Sequence, residues 1–288
     1  MAKEMYSWNR QNLNQLIPFV YGKSTVEISN LEPPPGRQLL LNATVGYRPG
    51  KREYAMVIPA GITTANHLRW WLQGAENPHW IGCTLKLSNL TPESWATEST
   101  LSTLFAMHQI NNAESGNREL SPFRLNVVNG AFEAVATREF NRGAPVIVKR
   151  KPMGKLDFEW FTLIMQYRAA HEGGLVRCWK GTYNNPDKYY FQYKGDTFSG
   201  KQNTNSQSFL YPLIGVYHPG WKNFVPAADG FLTVNIGAIT ISNHECNFMD
   251  VYNSITKEDI NGLTENLADL NPDYDFADDL DVNPPLLF

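Results

Sequence analysis

The distribution of apolar residues along the chain is typical of a protein built from many short β-strands. Between residues 26 and 251, apolar and polar residues alternate in short runs that Gly, Pro and Asn separate. Such alternation places every second side chain on the same face of a strand, as in a half-buried sheet. Closely spaced runs with few helical periods between them predict a two-sheet sandwich. We predict nine strands, at residues 38–45, 81–88, 102–110, 124–128, 132–137, 158–167, 175–179, 209–217 and 232–242.

The clearest turn signal is the pair Asn129-Gly130, which separates the predicted strands 124–128 and 132–137. Both central residues of a type I′ turn need a positive φ angle, which Asn and Gly adopt more readily than other residues. The pair therefore predicts a tight β-hairpin.

The N-terminal residues 1–25 do not continue this pattern. Leu13, Leu16 and Ile17 are spaced for one short helix, and the same stretch also suits an extended arm. The stretch lacks the order of basic, apolar and small residues that defines a secretory signal peptide. We therefore treat it as an arm and expect no export through a classical signal.

The pattern changes again after residue 251. Thr256 and Asp259 form a weak capping box, and apolar residues follow at helical spacing, at Ile260, Leu263, Leu267 and Leu270. We predict one amphipathic helix, followed by an acidic tail that is either disordered or an extended docking peptide. The predicted divisions are an arm at 1–25, a β-sandwich domain at 26–255, and the helix with its tail at 256–288.

Composition and charge narrow the kind of partner. A chain of 288 residues with 42% hydrophobic content is long enough to bury one large core. The net charge is −3, but residues 257–288 contain nine acidic residues and one basic residue. The rest of the chain has 24 basic and 19 acidic residues, a net charge of +5. A mildly basic body favours an anionic partner.

Several classes of protein are disfavoured by the same sequence. Cys83, Cys178 and Cys246 are scattered without the spacing of a zinc site or a disulfide framework, so we predict buried thiols and no metal or cofactor. A structural divalent ion would leave no signal of its own in the sequence. No apolar run is long enough to cross a membrane. A basic stripe with interleaved aromatic residues is also missing, which disfavours nucleic-acid binding.

The segment Tyr211-Pro-Leu-Ile-Gly-Val-Tyr217 carries the most specific pattern. In a strand, Tyr211, Leu213, Gly215 and Tyr217 would share one face. The segment resembles the strand Tyr-Phe-Lys-x-Gly-x-Tyr of the jelly-roll polysaccharide lyases, a group that includes glucuronan lyases and heparin lyases. The resemblance implies an all-β, concanavalin A-like jelly roll over residues 26–255, with a surface that faces a saccharide.

Further segments are similar to the same lyases. The closing strand of the family and the loop after it resemble residues 239–251, and the order of all matching segments along the chain is the family's order. Together the matches cover roughly residues 38–252. The other matching segments are residues 79–88, 105–111, 121–130 and 158–181.

The resemblance also implies a chemistry. These lyases cleave polymers of uronic acids by β-elimination, which needs a neutraliser for the carboxylate, a base for the C5 proton and an acid for the departing O4. In the family an amide and an arginine neutralise the carboxylate, while a histidine and a tyrosine share the proton transfers. The matching positions are Tyr217 as acid and base, His108 as its partner, and Arg52, in Lys51-Arg-Glu-Tyr54, as a carboxylate clamp.

Two positions depart from the family pattern. Alignment on His108 places Ala106 where the family has its amide, and Leu213 stands where it has a lysine. Alignment on Gln109 instead places Asn111 at the histidine position. Loss of an electrostatic stabiliser costs on the order of 10²–10³ in rate, so the pattern indicates weak catalysis or none.

An acidic polysaccharide is the partner that this pattern predicts, and residues 1–25 and 257–288 are predicted to bind other protein subunits. Candidate substrate-binding residues are Gln109, Asn111, Tyr211, His218, Lys149 and Arg150.

Two functions are compatible with the sequence. The first is a depolymerase of lyase type, carried by a phage virion that reaches the polysaccharide after lysis without a signal peptide. The second is a non-catalytic carbohydrate-binding or structural protein of a virion, such as a decoration, baseplate or tail protein, built on a degenerate lyase fold.

Overall fold

The computed structural model describes residues 3, 5–8, 13, 16–29, 40–46, 51–59, 77–88, 102–111, 120–138, 146–170, 172–197, 208–218 and 231–257. In chain order the strands are β1 (Met5–Trp8), β2 (Leu16–Tyr21), β3 (Ser24–Ile28), β4 (Leu41–Gly46), β5 (Glu53–Pro59), β6 (His79–Ser88), β7 (Ser102–Asn111), β8 (Leu120–Val128), β9 (Ala131–Arg138), β10 (Val146–Lys155), β11 (Phe161–Arg168), β12 (Gly174–Thr182), β13 (Asn185–Gly195), β14 (Ser208–His218) and β15 (Phe231–Ser242). One helix, α1 (Phe248–Thr256), follows them in the described chain.

The strands form two antiparallel sheets. Sheet A has the order β13-β12-β11-β6-β15-β4-β3, and β1 pairs with the other end of β15. Sheet B has the order β10-β9-β8-β7-β14-β5-β2. The predicted all-β jelly-roll sandwich is confirmed.

The main core lies between the two sheets. The strands of both sheets send alternate apolar side chains into it, so aromatic rings from opposite sheets meet. Phe123 of β8 lies 5.6 Å from Phe191 of β13, measured between ring centroids, and Phe132 of β9 lies 5.0 Å from Phe161 of β11. Removal of this apolar area from water is the main favourable term in holding the sheets together.

All nine predicted strands are confirmed, and the described ranges contain six further strands. Four of these, β2, β3, β10 and β13, are the outermost strands of the two sheets. Edge strands face solvent along much of their length, so they lack a clear alternation; β10, for example, is mostly exposed and rich in Lys and Arg. The fifth, β5, is buried at every position, and after Glu53 it reads as a continuous apolar run. The sixth is the short strand β1.

The described part of the predicted N-terminal arm belongs largely to the sandwich. Leu16 and Ile17, whose spacing also suits a helix, lie in β2 at the edge of sheet B. β1 pairs with β15 in sheet A, and Lys3 Nζ lies 2.8 Å from an Asp250 carboxylate oxygen. These residues form strands because the two sheets offer unpaired edges on which a short apolar segment completes the ladder.

The predicted hairpin at Asn129-Gly130 is confirmed. Asn129 has φ 49° and Gly130 has φ 70°, and Val128 pairs with Ala131 on either side of the turn. These are the two positive angles that a type I′ turn needs.

Helix α1 begins before the predicted one. Its N-cap is Asn247, whose side chain accepts hydrogen bonds from the backbone of Met249 and Asp250, while the Asp250 carboxylate accepts from the Asn247 amide. Val251 and Ile255 pack on Gly82, on the side of sheet A that faces away from the main core. The helix predicted from Ile260 to Leu270, and the tail after it, lie outside the described residues.

Other features of the described chain bear on the predicted classes. Cys83, Cys178 and Cys246 are buried, and burial raises the pKa of the Cys83 and Cys178 thiols. Among the described residues no group of His, Cys, Asp and Glu side chains is arranged to hold a metal ion. No helix in these ranges has the length and apolar character that a membrane span requires.

Candidate functional site

A second apolar cluster covers the face of sheet B that is turned away from the main core. We call this face the site face, because it carries the lyase-like residues. The alternation of strands β5, β7 and β14 creates it: residues such as Ala55, Phe105 and Ile214 point into the core, and their neighbours point to the site face. The cluster consists of Tyr54, Met56, Ile58, Ala106, Tyr211, Leu213 and Tyr217, with Ile17 and Phe19 packed against it.

The first row of residues across the site face joins His108 to Tyr211. The two residues are direct partners between β7 and β14, and their ring centroids lie 5.1 Å apart. His108 Nδ1 lies 3.4 Å from the Ser121 hydroxyl oxygen. His108 is fully buried, and burial lowers the pKa of its imidazole to about 3. The ring is therefore neutral at physiological pH.

The second row contains both positions that depart from the family pattern. Ala106 of β7 pairs with Leu213 of β14 on one side and with Arg124 of β8 on the other. Directly opposite residues of antiparallel strands project to the same face. Arg124 therefore projects to the site face from a position beside Ala106, where the amide is missing, and its charge acts on Tyr217.

The third row contains Tyr217. It pairs with Tyr54 of β5 and with Thr103 of β7, and its ring stacks on Tyr54 at a centroid distance of 6.2 Å. Arg52 donates a hydrogen bond to the Tyr217 hydroxyl. Burial raises the pKa of Tyr217, and the charges of Arg52 and Arg124 act against this rise. Arg52 and Tyr217 are therefore brought together, as the sequence predicts.

The structure does not bring Tyr217 and His108 together. His108 is opposite Tyr211, and Tyr217 is six residues further along β14. At about 3.3 Å per residue, the two ends of this segment are roughly 17–20 Å apart when the register shift between Ile214 and Tyr217 is included. The tyrosine in contact with the histidine is Tyr211, for which the sequence predicts only substrate binding.

His218 is on the opposite side of β14 from the site face. It follows Tyr217 directly and pairs with Glu53, without a register shift between the two positions. Its Nδ1 lies 3.0 Å from the Ser102 hydroxyl oxygen. A saccharide on the site face is therefore out of reach of His218, in contrast to the prediction that it binds substrate.

The two basic candidates on β10 also point in opposite directions. Arg150 pairs with Val135 and lies 3.8 Å from the Glu133 carboxylate, on the side of Arg124. Lys149 pairs with Ala136, which points into the core, and its ammonium lies 5.7 Å from the centroid of the Phe191 ring. Only Arg150 of this pair extends the site face.

Gln109 and Asn111 lie in β7, opposite Leu210 and Ser208 of β14. Their side chains, like Trp70, Trp71 and Trp221, are outside the described part of the structure.

Arg124 is the residue that sequence reasoning missed. It lies between Phe123 and Leu125, both of which point into the core, so alternation alone places it on the outer face of β8. Its 5% exposure and its position opposite Ala106 depend on pairing between strands. Burial lowers the pKa of the Arg124 guanidinium, while Tyr217 and Glu133 raise it.

The centre of the site face is closed. The exposed fraction is 4% for Tyr211, 3% for Tyr217 and zero for His108. In this conformation a polymer does not contact these side chains.

Comparison with known proteins identifies the architecture. No protein-family model matches the chain, and no curated protein matches its sequence. The endo-β-1,4-glucuronan lyase of the fungus Trichoderma reesei superposes with a TM-score of 0.58 at 17% identity, over 86% of this chain and 96% of that enzyme. The chain has the fold of the jelly-roll polysaccharide lyases.

Two other solved structures match less well. The alginate lyase of Aplysia kurodai has a TM-score of 0.47 at 12% identity, over 82% of this chain and 89% of the lyase. A carbohydrate esterase of the Shiga toxin-encoding bacteriophage phi24B has a TM-score of 0.44 at 12% identity, over 84% of this chain and 99% of the esterase. At these identities the likeness concerns the fold, and the activity has to be argued from the residues of the site face.

Proposed function

We propose that the protein cleaves an acidic polysaccharide by β-elimination, with His108 and Tyr211 as the pair that transfers protons. The observation that carries this proposal is the direct cross-strand contact between the two rings, 5.1 Å apart, on the site face. An imidazole and a phenol in contact are groups suited to general acid and base catalysis. The likeness of the fold to that of a glucuronan lyase supports the choice of reaction.

The reaction removes the proton from C5 of a uronic acid residue and expels the glycosidic oxygen from C4. The electron pair of the C5–H bond forms the C4=C5 double bond as the C4–O4 bond breaks, and the leaving oxygen takes up a proton. A neutral imidazole has one nitrogen that accepts a proton, and a tyrosine hydroxyl donates one. His108 and Tyr211 occupy the same level of the sheet, so a glycosidic linkage admitted to this part of the face would lie beside both residues.

Arg52 and Tyr217 then take a binding role in this proposal. They form a hydrogen-bonded pair about five residues along the sheet from His108 and Tyr211. A cation beside a hydroxyl suits a carboxylate or hydroxyl of a neighbouring sugar. Arg150, more exposed and further out, suits the same anionic chain.

A second function is favoured by the burial of the site face. His108, Tyr211 and Tyr217 are almost inaccessible, which agrees with a non-catalytic carbohydrate-binding or structural protein on a degenerate lyase fold. A virion setting for either function, with attachment through residues 257–288, stays a prediction. The described part of residues 1–25 is engaged in the sandwich itself, which leaves it less suited to a partner.

The test is the absorbance of the unsaturated product during incubation with glucuronan, alginate, heparin-like and capsular polysaccharides. Tyr211→Phe and Tyr217→Phe form a matched pair, because each removes one hydroxyl from the same face of β14. We expect Tyr211→Phe to lower the initial rate by about 10²–10⁴-fold, as loss of an acid or base does, and Tyr217→Phe to lower it by less than about tenfold.

Two outcomes would count against the proposal. Loss of turnover in Tyr217→Phe with full turnover in Tyr211→Phe would show that the pair is wrongly assigned. Absence of unsaturated product from every polymer would support the non-catalytic function.

A further inference from the structure

The starting point is the position from which the lyase-like pattern loses its amide. Ala106 has no polar atom in its side chain, and its partner Leu213 has none either. At this row of β7 and β14, a β-elimination site would therefore lack a side-chain donor for the substrate carboxylate. The remaining partner of Ala106, across the other edge of β7, is Arg124.

Arg124 belongs to the second row, between the proton-transfer pair and Tyr217, and its charge acts on Tyr217. His108 is two residues from Ala106 on β7, so Arg124 and His108 are diagonal neighbours, with Cα atoms about 7–8 Å apart. An arginine side chain spans most of this distance. Because Ala106 ends at its Cβ atom, it occupies less of the site face than an amide side chain would, which leaves more room for a longer side chain from the neighbouring strand.

The charges around Arg124 belong to the same face. Electrostatic interactions join Arg124 to Tyr217, Arg150 and Glu133. Burial of a cation carries a large desolvation cost unless an anion or hydrogen-bond acceptors compensate it. Glu133, which also lies 3.8 Å from Arg150, is one such anion, and a uronate carboxylate bound at the pair would be a second.

The row of Arg124 continues to the edge of sheet B. Val135 of β9 pairs with Arg124 on one side and with Arg150 of β10 on the other. With neighbouring strands about 4.8 Å apart, the two arginines are roughly 10 Å apart on the same face. One positive charge is thus exposed at the edge and a second is buried at the centre, on a line that leads to Ala106.

We propose that Arg124 neutralises the carboxylate of the sugar at the reacting position, in place of the amide that is absent at Ala106. This inference rests on the proposed function and names the group that makes it specific for acidic polymers. Arginine binds a carboxylate through two parallel N–H···O bonds, so it replaces an amide with a stronger donor set.

The experiment compares turnover with recognition of the carboxylate. Initial rates are measured on the polymer that the wild-type protein cleaves best. Binding of each native polymer of the panel and of its carboxyl-reduced form is measured by calorimetry in a Tyr211→Phe background. We expect Arg124→Gln to lower kcat/KM by at least about 10²-fold. We also expect it to reduce the ratio of affinities for the native and the carboxyl-reduced polymer to about one.

Three control variants make the result specific. Lys151→Gln removes the same charge from β10, but Lys151 pairs with Ala134, which points into the core, so turnover should change by less than about twofold. Glu133→Gln tests whether Arg124 serves only to hold Glu133. Arg124→Ala opens space opposite Ala106, and adding Ala106→Gln to it restores an amide, which should recover at least about tenfold of the lost rate.

Thermal unfolding of each variant separates loss of folding from loss of function. If Arg124→Gln does not fold, Arg124→Ala with Ala106→Gln and the charge-conserving Arg124→Lys take its place. Unchanged turnover and unchanged carboxylate preference in folded Arg124→Gln would overturn the inference and leave the proposed function standing. An equal loss in Glu133→Gln would also overturn it.

A wild-type protein that cleaves none of the polymers refutes the proposed activity instead. In that case, a preference for the native polymer that disappears in Arg124→Gln supports Arg124 as the carboxylate-binding group. No preference, or a preference that persists in the variant, overturns the inference.

Discussion

At the scale of single residues, backbone geometry constrains β14 as strongly as side-chain chemistry does. Gly215 has φ +147°, in a region that residues with a Cβ atom rarely adopt. A Cβ atom there would meet the carbonyl oxygen of Ala55 and lie 2.8 Å from the Cα atom of Met56. Because both atoms belong to the backbone of β5, neither can move without disturbing the sheet.

Gly215→Ala is therefore expected to destabilise the protein by about 2–4 kcal/mol, the combined cost of a strained backbone and an overpacked contact. The measurement is the free energy of unfolding in denaturant. Gly82→Ala is the comparison variant. The nearest atoms to its added methyl belong to the side chains of Val251 and Ile255, and Gly82 does not have a positive φ angle. Equal losses in both variants would show that the backbone contact at Gly215 is not the cause.

Sequence and structure agree unevenly at this scale. The face of Tyr211, Leu213, Gly215 and Tyr217 follows from alternation alone, and the structure places the three side chains in one cluster. The sequence does not reveal which tyrosine meets His108, because this depends on the register between β7 and β14, about 100 residues apart in the chain. Resemblance to the lyases points to Tyr217, whereas the register places Tyr211 opposite His108.

At the scale of elements, α1 shows how one capping box joins distant parts of the chain. Asn247 Oδ1 accepts hydrogen bonds from the amides of Met249 at 2.8 Å and Asp250 at 3.1 Å. The same Asp250 carboxylate accepts from Lys3, next to β1. The cap thereby fixes the start of a helix whose apolar side covers Gly82.

Asn247→Ala should lower the free energy of unfolding by about 1 kcal/mol, because two amides of the first turn lose their acceptor. Asn247→Asp keeps an acceptor oxygen and should change stability by only a few tenths of a kcal/mol. Chemical denaturation followed by tryptophan fluorescence measures both, since Trp179 lies 5.3 Å from Phe248 of α1. The same loss in both variants would mean that the side-chain hydrogen bonds contribute little.

The elements that the sequence reveals are those with one buried and one exposed face. β8 and β9 are joined by Asn129-Gly130, and local turn chemistry is enough to predict their pairing. β10 and β13 are poorly patterned because, among the described strands, each is paired on one side only. Their residues face solvent as well as the sheet, so their apolar residues do not recur at a regular spacing.

At the scale of the whole molecule, the sandwich keeps two histidines in low-dielectric surroundings. Burial lowers the pKa of His108 to about 3, and burial together with His244 lowers the pKa of His79 to about 4. The unfolded chain binds protons at these residues near pH 6.5. Between pH 6.5 and about 4, the unfolded state therefore holds more protons than the folded state.

Stability is consequently full above about pH 6.5 and is lost as the pH falls towards 4. For one histidine the loss at pH 5 is on the order of 2 kcal/mol. Denaturant unfolding at pH 7.5, 6, 5 and 4.5 measures the slope in the wild-type protein, in His108→Gln and in His79→Gln. Each variant should show a shallower slope; slopes equal to that of the wild type would exclude these histidines as the cause.

Resemblance to the lyases marked Ala106 and Leu213 as changed positions. The sequence by itself determined the class of fold, nine of its strands and the Asn129-Gly130 hairpin. These follow from local rules, since alternation and turn chemistry act over a few residues. Tertiary structure alone decided that His108 meets Tyr211, that His218 and Lys149 leave the site face, and that Arg124 lies opposite Ala106. Register and burial arise between strands that are far apart in the chain, and the sequence pattern of one strand carries no record of its partner.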